Sequence, residues 1–399
     1  MNPLAHITVL DLSRVLAGPY CTQLLADLGA RVIKVEALTG DDTRTWGPPW
    51  AGPHSGYYVS TNRGKESIAV NLKHPSGAAL VQRLAAQADV VVENFKVGDL
   101  ARYGLDYEAV ASANPSVVYV SITGYGQTGP RAHEAGYDAA LQAETGVMAM
   151  TGEPEGRPLK LGVAWIDVLT GTHAATAALA GVIEAQRTGQ GRQFDISLYD
   201  VAINALVNQA QASLLTGNAP ERLGSAHPSI VPYQAFETAT DPMVLAVGND
   251  QQFARLAQVL SEPQWATDER FATNSARVAH RTELTELISA RTKRWAATDL
   301  FAACKAAQVP ANIVQDLPAA LAAAQTLARG LVAHDSPHGP RLTGVFRSHR
   351  TGAEWEVAPA RTEAPELAAH TSSVLQSELG FSASEIAELA EAGAILVQG

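Results

Sequence analysis

Asp167 is the residue of this sequence whose type and surroundings most clearly indicate chemistry. It lies in the apolar segment 161–170, directly between Ile166 and Val168. An ionised carboxylate is costly to remove from water unless its surroundings satisfy it, so a carboxylate at this position indicates a nucleophile or a base. The structural alternative is an aspartate that caps the N-terminus of a buried helix.

The segment that follows predicts the element that positions Asp167. Thr170 and Gly171 lead into the alanine-rich run 173–185, which is typical of a tightly packed helix. We therefore expect Asp167 at or near the N-terminus of that helix, where unpaired backbone N–H groups favour a negative charge.

The composition predicts a soluble cytoplasmic protein. Its 399 residues are enough for two or three domains with large cores, and a formal net charge of -11 argues against a nucleic-acid or anionic-membrane surface. Cys21 and Cys304 have neither metal-ligand spacing nor the pattern of a disulfide framework. We expect no signal peptide at the N-terminus and no segment with the apolar length of a membrane span.

Strand and helix patterns alternate through the first third of the sequence. Helix patterns cover 19–28 and 76–87, and strand patterns cover 7–12, 31–36, 67–72, 90–95 and 117–122. Strands separated by helices predict an open, doubly wound parallel sheet. A second α/β pattern spans 233–307. The aperiodic segment 38–58 is rich in Gly, Pro and Trp, and a loop of that length is usually functional or covers a site.

Several common catalytic motifs are missing from the sequence. The turn 14–20 after the first strand pattern lacks G-x-G-x-x-G, so a dinucleotide-binding fold is not supported. A complete P-loop, an H-E-x-x-H pair and a G-x-S-x-G elbow are also missing, and the 11 histidines show no ligand spacing. The remaining candidate is a carboxylate that acts without a metal.

An ordered set of short motifs accompanies Asp167. It consists of Leu16-Ala-Gly-Pro-Tyr20, Ala30-Arg-Val-Ile-Lys-Val-Glu36, Gly40-Asp-Asp-Thr-Arg44, Asn62-Arg-Gly-Lys-Glu-Ser67, Val92-Glu-Asn-Phe95, Arg102-Tyr-Gly104, Ser121 to Pro130, Gly136-Tyr-Asp138 and Thr188-Gly-Gln-Gly191. In this order and spacing the chain resembles the family III coenzyme A transferases, a superfamily that includes formyl-CoA and carnitine-type transferases and α-methylacyl-CoA racemases. The resemblance runs from Ile7 to about Leu389.

The resemblance implies an α/β fold and a particular assembly. Residues 1–224 and 326–399 are expected to form a large Rossmann-like, doubly wound domain that binds coenzyme A, and residues 225–325 a smaller α/β domain. Two ring-shaped subunits are expected to interlock as a homodimer.

The resemblance also implies the chemistry of Asp167. In this family the matching aspartate attacks the donor thioester, and the reaction continues through a mixed anhydride and an aspartyl-CoA thioester. A coenzyme A thioester and a carboxylic acid are then the substrates. No tightly bound cofactor and no metal are expected.

The family's coenzyme-binding positions also transfer to this sequence. By position they fall on Leu16, Ala17, Val70, Asn71, Leu72, Lys73, Asn94, Phe95, Lys96, Arg102, Ala135, Gly136, Tyr137 and Asp138. Lys73 and Arg102 suit phosphate binding, and their structural alternative is a solvated surface charge. Arg44 and Lys65 are further candidates of the same kind.

Tyr137 separates the branches of the superfamily. The racemases carry a histidine at this position as the base that removes an α-proton, and tyrosine is a poor base at neutral pH. Its structural alternative is a core aromatic whose hydroxyl finds one partner. Racemisation is therefore disfavoured, although an acyl-CoA racemase or epimerase stays open as an alternative.

The segments 224–236 and 248–253 look closest to the branch that moves coenzyme A between C4–C6 dicarboxylates, such as from succinyl-CoA to glutarate. His227 and Ser229 are the candidates to face the distal carboxylate of the acceptor. Their structural alternative is loop packing around two prolines. A non-catalytic acyl-CoA-binding protein and a slow thioesterase are the other open functions.

Overall fold

The structure is a computed structural model that describes residues 2–336, 338–353, 355–357 and 363–398, with the side chains of 356 and 357 excepted. The chain divides into two compact units. The first contains the residues up to Thr145, Leu161–Gln211 and the residues from Gln325 onward, and the second contains Gly146–Lys160 and Ala212–Ala324. The domain boundaries expected at 224/225 and 325/326 stay a prediction, and part of the segment 326–399 lies outside the described residues.

The described residues up to 216 alternate between strands and helices. The strands are β1 (Thr8–Asp11), β2 (Arg31–Glu36), β3 (Trp50–Ala51), β4 (His54–Ser55), β5 (Glu66–Val70), β6 (Val90–Glu93), β7 (Val118–Thr123) and β8 (Arg192–Ser197). The helices are α1 (Ala17–Asp27), α2 (Gly56–Asn62), α3 (Pro75–Ala85), α4 (Tyr107–Ala113), α5 (Asp138–Glu144), α6 (Val147–Met150), α7 (Trp165–Thr188), α8 (Leu198–Asn204) and α9 (Val207–Thr216). The five strands predicted in the first third are all present.

The rest of the described chain adds shorter elements. Up to 324 these are β9 (Tyr233–Phe236), β10 (Met243–Ala246), α10 (Asp250–Val259), α11 (Asn274–Ala279), α12 (Arg281–Thr292), α13 (Ala297–Ala306), β11 (Ala311–Ile313) and α14 (Leu317–Ala322). They are followed by α15 (Ala324–Ala328), β12 (Val332–Ala333), β13 (Arg341–Leu342), β14 (Arg347–Ser348), β15 (Glu356–Val357), α16 (Thr371–Leu379), α17 (Ala383–Glu391) and β16 (Ile395–Leu396).

The first unit is built around a seven-stranded sheet in the order β16-β5-β2-β1-β6-β7-β8. The edge strand β16 runs antiparallel to β5, and the other neighbours pair in parallel. Counted along the chain, the parallel strands lie in the order 3-2-1-4-5-6, which is the order of a Rossmann-type sheet. The predicted α/β class with a mostly parallel sheet is confirmed.

Alternate residues of each strand pack into two different cores. Val9, Val32 and Val118 face α1 and α7, whereas Leu10 and Ile33 belong to the core on the side of α3 and α16. Successive side chains of a strand point to opposite faces, so a sheet that is covered on both faces has apolar residues at consecutive positions. This explains the nearly continuous apolar runs of the sequence.

Helix α7 corrects one expectation. It has 24 residues, and an 18-residue window of it reaches a mean hydropathy of 1.4, so by length and composition it meets the criterion for a membrane span. The expectation that no segment reaches that apolar length was wrong. Within the first unit, Ile166, Ala174 and Ala178 of this helix are buried in the core beside α1.

The second unit has a core of its own. The antiparallel strands lie in the order β11-β10-β9. Met243, Leu245, Phe253 and Leu300 are among the buried residues that join the strands to the surrounding helices. The second α/β pattern of the sequence is thus confirmed as a separate small core.

Candidate active site

The candidate site lies where the strand order of the sheet reverses. The chain runs from β1 outward in one direction through β2, and from β6 outward in the other. Ligands of open α/β sheets bind in the crevice at the carboxyl ends of the strands at such a switch point. The loops that leave β1 at Arg14 and β6 at Asn94 meet there, because the Asn94 side chain hydrogen-bonds to the backbone of Arg14.

Two neighbouring cavities open at this edge of the first unit. The first has a volume of about 280 Å³ and contains Asp167 in its wall. The second has a volume of about 570 Å³. Arg14, Phe95 and Asp99 line both cavities, so the two cavities are neighbours that share part of their wall.

All the residues on which the family's coenzyme-binding positions fall line one of these cavities, whereas the further candidates Arg44 and Lys65 line neither. The first cavity is lined by Leu16, Ala17, Asn94, Phe95, Lys96, Ala135, Gly136, Tyr137 and Asp138. The second is lined by Val70, Asn71, Leu72, Lys73, Phe95 and Arg102. Residues that are far apart in the sequence are therefore brought together in two neighbouring cavities at one edge of the sheet.

Asp167 lies in the first turn of α7. The residue before this helix is Ala164, which makes no side-chain cap, so Asp167 is not the N-cap. The side chain of Asp138, which is far from this helix in sequence, caps its N-terminus instead. Its carboxylate accepts hydrogen bonds from the backbone N–H of Ile166 at 2.8 Å and of Asp167 at 3.3 Å. The expected place of Asp167 near a helix N-terminus is confirmed, and the capping alternative is wrong.

Gly171 allows α7 to approach α1 at the level of the cavity. A Cβ atom at Gly171 would lie 2.5 Å from the carbonyl oxygen of Ala17, so a larger residue would force the two helices apart. Asp167 is four residues before Gly171 and hence on the same face of α7. The close contact therefore sets Asp167 beside the start of α1, where Leu16 and Ala17 line the cavity.

The carboxyl group of Asp167 is half-buried. Burial, and to a smaller extent the negative charge of Asp138, together raise its pKa to about 7. A carboxylate of higher pKa is a stronger base and a better nucleophile once it is ionised. Asp167 is thus partly removed from water and lies near the like charge of Asp138. The apolar residues around Asp167 in the sequence predicted the first of these features but not the second.

The raised pKa predicts that Asp167→Asn stabilises the protein in alkaline solution. Folded Asp167 holds its proton to about pH 7, whereas the ordinary aspartate value is 3.8. Between these values the folded state binds more protons than the unfolded state, so the wild type loses stability as the pH rises through this range. We expect the Tm of the variant to exceed that of the wild type by about 2–4 °C at pH 8, with a smaller difference at pH 5.

Calorimetry at the two pH values measures this difference. Asp241→Asn is the matched control, because Asp241 is an exposed carboxylate of the second unit, and it should show no gain. An Asp167→Asn protein that is no more stable than the wild type at pH 8 would contradict the raised pKa.

Two tyrosines differ in their relation to the site: Tyr137 lines the first cavity, whereas Tyr57 lines neither cavity and interacts electrostatically with Asp167. Tyr137 is 72% exposed and lines the first cavity, so its alternative as a core aromatic is wrong. Tyr57 is half-buried, and burial raises its pKa to about 12, with the charges of Asp167 and Asp138 as further causes. Tyr57 therefore keeps its proton and lies within electrostatic reach of Asp167.

Sequence reasoning missed Tyr57 and Arg14 as site residues. Tyr57 belongs to the segment 38–58, whose length and composition were the only signal. Its ring meets the edge of Trp46 with 5.1 Å between ring centroids. Arg14 follows β1 at the switch point and packs its guanidinium over Phe95, between the two cavities. Its position directly after the first predicted strand was the usable signal.

Lys65 and Arg44 have structural roles, so the prediction of phosphate contacts was wrong for both. The side chain of Lys65 is fully buried, and its Nζ donates to Asp11, Pro19 and Asn62. Arg44 makes a two-bond ion pair with Glu36 and also donates to the hydroxyl of Tyr58. Neither residue lines either cavity.

His227 and Ser229 lie in the second unit, whereas all the residues that line the two cavities belong to the first. The backbone N–H of Ser229 donates to Nδ1 of His227 at 3.0 Å, and the side chain of Asn274 donates to the carbonyl oxygen of Ser229. These bonds fix the loop and leave Nε2 of a neutral His227 as its N–H donor.

Fold and site together define an α/β protein with a half-buried carboxyl group of raised pKa beside a cavity at a sheet switch point. The model of the family "CoA-transferase family III" matches residues 4–371, and the chain belongs to this family. It is accordingly a CoA-transferase.

In the part of the chain that the structure describes, no group of three or more His, Cys, Asp or Glu residues is arranged to hold a metal ion.

Similar proteins agree with this assignment. A succinate–glutarate CoA-transferase from Agrobacterium fabrum is 48% identical over 383 residues, which cover 94% of this chain and 95% of that protein. The human succinyl-CoA:glutarate CoA-transferase is 40% identical over 397 residues, or 99% of this chain and 90% of that one. A crystal structure of a CaiB/BaiF family protein from Brucella suis superimposes with a TM-score of 0.82 at 43% identity, covering 94% of this chain and 99% of that chain.

Proposed function

We propose that this enzyme moves coenzyme A from succinyl-CoA to a C4–C6 dicarboxylic acid, with Asp167 as the nucleophile. The observation that carries the proposal is the placement of a carboxyl group with a raised pKa in the wall of one cavity, beside a second cavity that Lys73 and Arg102 line. The named activities of the similar proteins support succinyl-CoA as donor and a dicarboxylate as acceptor.

The proposed reaction divides one exchange into four additions to carbonyl groups. A carboxylate oxygen of Asp167 attacks the donor thioester, the C–S bond breaks, and a mixed anhydride and the coenzyme A thiolate form. The thiolate attacks the aspartyl carbonyl, which releases the donor acid and leaves an aspartyl-CoA thioester. The acceptor carboxylate then attacks that thioester, its C–S bond breaks, and a second mixed anhydride and the thiolate form. The thiolate attacks the acyl carbonyl of the acceptor in this anhydride, which gives the new acyl-CoA and frees the carboxylate of Asp167.

This sequence of steps transfers no net proton, so it needs no general base. It does need an ionised Asp167 and few water molecules, because water would hydrolyse the anhydride and the thioester. The half-buried position of Asp167 limits the access of water, and a pKa of about 7 still leaves a large share of the carboxyl group ionised at neutral pH. We assign no resident cofactor or metal to the mechanism.

We propose that the coenzyme extends from Asp167 through the first cavity into the second. Lys73 and Arg102 then bind its phosphates in the second cavity, where the side chain of Arg102 is 60% exposed. The His227 and Ser229 loop is our proposal for the residues that bind the distal carboxylate of the acceptor.

Replacing Arg102 by alanine should raise the KM for the acyl-CoA about 10-fold and leave kcat nearly unchanged, because a phosphate contact is the same in the ground state and the transition state. Steady-state kinetics measures both constants. Arg83→Ala is the matched control, since Arg83 lies outside both cavities and packs over Phe381. An unchanged KM for the Arg102 variant would remove Arg102 from the binding site.

We further propose the large domain 1–224 with 326–399, the small domain 225–325, and an interlocked, ring-like homodimer. Among the described residues, Val207, Leu214 and Leu215 of α9 are 71–81% exposed. Exposed apolar surface of this kind favours a second chain that covers it.

We also propose that the protein is soluble and cytoplasmic. The free, buried Cys21 and Cys304 fit the reducing environment of that compartment.

The test of the function is a panel of acceptor acids with succinyl-CoA and no ATP. The panel contains glutarate, itaconate, mesaconate, malate and citramalate, and chromatography follows the acyl-CoA products. We expect a new acyl-CoA whose amount equals the succinyl-CoA consumed.

Three other outcomes contradict the proposal in different ways. Release of free thiol without an acceptor indicates a thioesterase. Exchange of the α-proton of an acyl-CoA with deuterated solvent, without transfer, indicates a racemase or epimerase. Tight binding of acyl-CoA with neither reaction indicates a binding protein.

A further inference from the structure

The turn between β1 and α1 is held in an unfavourable backbone conformation. Val15 has a φ of +72°, a region that β-branched residues rarely occupy. Residues in such conformations persist only when the surrounding structure holds them, and they cluster at functional sites. The next two residues, Leu16 and Ala17, line the cavity that contains Asp167.

The side chain of Asn94 clamps this turn from the neighbouring strand. Its Oδ1 accepts from the backbone N–H of Arg14 at 2.9 Å, and its Nδ2 donates to the carbonyl oxygen of Arg14 at 2.7 Å. One side chain thus satisfies both backbone polar groups of the residue before Val15, as a paired strand would.

A buried ion pair holds the turn from the other side. Nζ of Lys34 donates to the carbonyl oxygen of Ser13 at 2.8 Å and to Asp41 at 3.0 Å, and both charged side chains are fully buried. A carboxylate oxygen of Asp41 accepts from the backbone N–H of Val15 at 3.2 Å. The backbone before and at the strained residue is therefore bonded to side chains that arrive from three other segments.

We propose that Asn94 is a positioning residue, which, together with the Lys34–Asp41 pair, holds Val15 in its strained conformation and so keeps Leu16 and Ala17 in register with Asp167. The inference rests on the proposed role of Asp167. It gives Asn94 a function other than direct contact with the coenzyme: the residue stays in the cavity wall, while both of its amide atoms serve the backbone of Arg14.

The two roles of Asn94 predict different kinetics. Loss of a coenzyme contact raises KM and leaves kcat unchanged, whereas misplacement of the reacting groups lowers kcat. Without the clamp, Val15 relaxes toward negative φ and carries Leu16 and Ala17 away from Asp167. We expect Asn94→Ala to lower kcat on the order of 100-fold, with the KM for acyl-CoA changed by less than about threefold.

A double-mutant cycle with Val15→Gly tests the strain directly. Glycine adopts positive φ about as readily as negative φ. Once the valine is replaced, the turn therefore keeps its conformation with less support from the hydrogen bonds of Asn94. In the Val15→Gly background, Asn94→Ala should therefore lower kcat by only about 10-fold or less. Asn114→Ala is the matched control, because Nδ2 of Asn114 also donates to the backbone of a distant segment, the carbonyl oxygen of Ala88, but outside both cavities.

The possible outcomes of this cycle distinguish the positioning role of Asn94 from its alternatives. An equal loss of kcat in both backgrounds, or a loss expressed in KM, overturns the positioning role. Circular dichroism and Tm of all variants are measured in parallel, and a kcat loss that is also seen with Asn114→Ala would make the effect one of general stability and overturn the proposal as well. A wild type without transfer activity would instead overturn the proposed function and not the clamp geometry.

Discussion

Asp167→Ala is expected to lower the kcat of coenzyme A transfer on the order of 10⁴-fold or more, because removal of a nucleophile eliminates the covalent path altogether. The KM for the acyl-CoA should change little, since the proposed phosphate contacts of Lys73 and Arg102 lie in the second cavity, whose lining does not include Asp167. Steady-state and single-turnover kinetics with succinyl-CoA measure the loss.

Asp195→Asn is the matched control for this variant. The pKa of Asp195 is also raised by burial, and its carboxylate accepts a hydrogen bond from the backbone of Gln127, but it lines neither cavity. This control should keep most of the activity. Undiminished turnover by Asp167→Ala would end the proposed mechanism.

Lys65→Met is expected to destabilise the protein by about 3–5 kcal/mol without a selective effect on the KM for acyl-CoA. Burial alone would raise the pKa of Asp11, but the charges of Lys65 and Lys34, together with hydrogen bonds from Ser13 and Thr22, lower it. Removal of Lys65 leaves Asp11 charged and buried with one cation fewer. Urea unfolding followed by circular dichroism measures the loss.

Lys305→Met controls for the change of residue type, because Lys305 is exposed on α13. Its stability should stay close to that of the wild type. The double variant Lys65→Met with Asp11→Asn should lose less than the sum of the two single variants, since both changes affect one ion pair. A folded, equally stable Lys65→Met protein with a raised KM would restore Lys65 as a phosphate ligand.

The periodic parts of the fold were predictable from the sequence. The β-strands and the helix after Asp167 follow from local patterns, because a sheet covered on both faces needs continuous apolar runs and a packed helix needs small residues such as Gly171. The edge strand β16 was not predicted, since two residues carry no periodicity. The hydropathy of α7 was also misjudged, because a core helix and a membrane span share composition.

The details of the site depended on contacts between distant segments. Lys65 and Lys73 look alike in sequence, yet one is buried against Asp11 and the other lines a cavity. No local pattern reveals that Asp138 caps a helix 28 residues away, or that Val15 takes a positive φ. The motif set predicted which residues gather at the site, and tertiary contacts decided what each one does.

The most direct test of the account is to trap the covalent intermediate. Borohydride is added during turnover with succinyl-CoA, and peptide mass spectrometry identifies the modified residue, with a sample that lacks the acyl-CoA as control. We predict donor-dependent inactivation, with the side chain of Asp167 reduced to a primary alcohol. Full activity in the presence of borohydride, or modification of another residue in place of Asp167, would contradict the central claim.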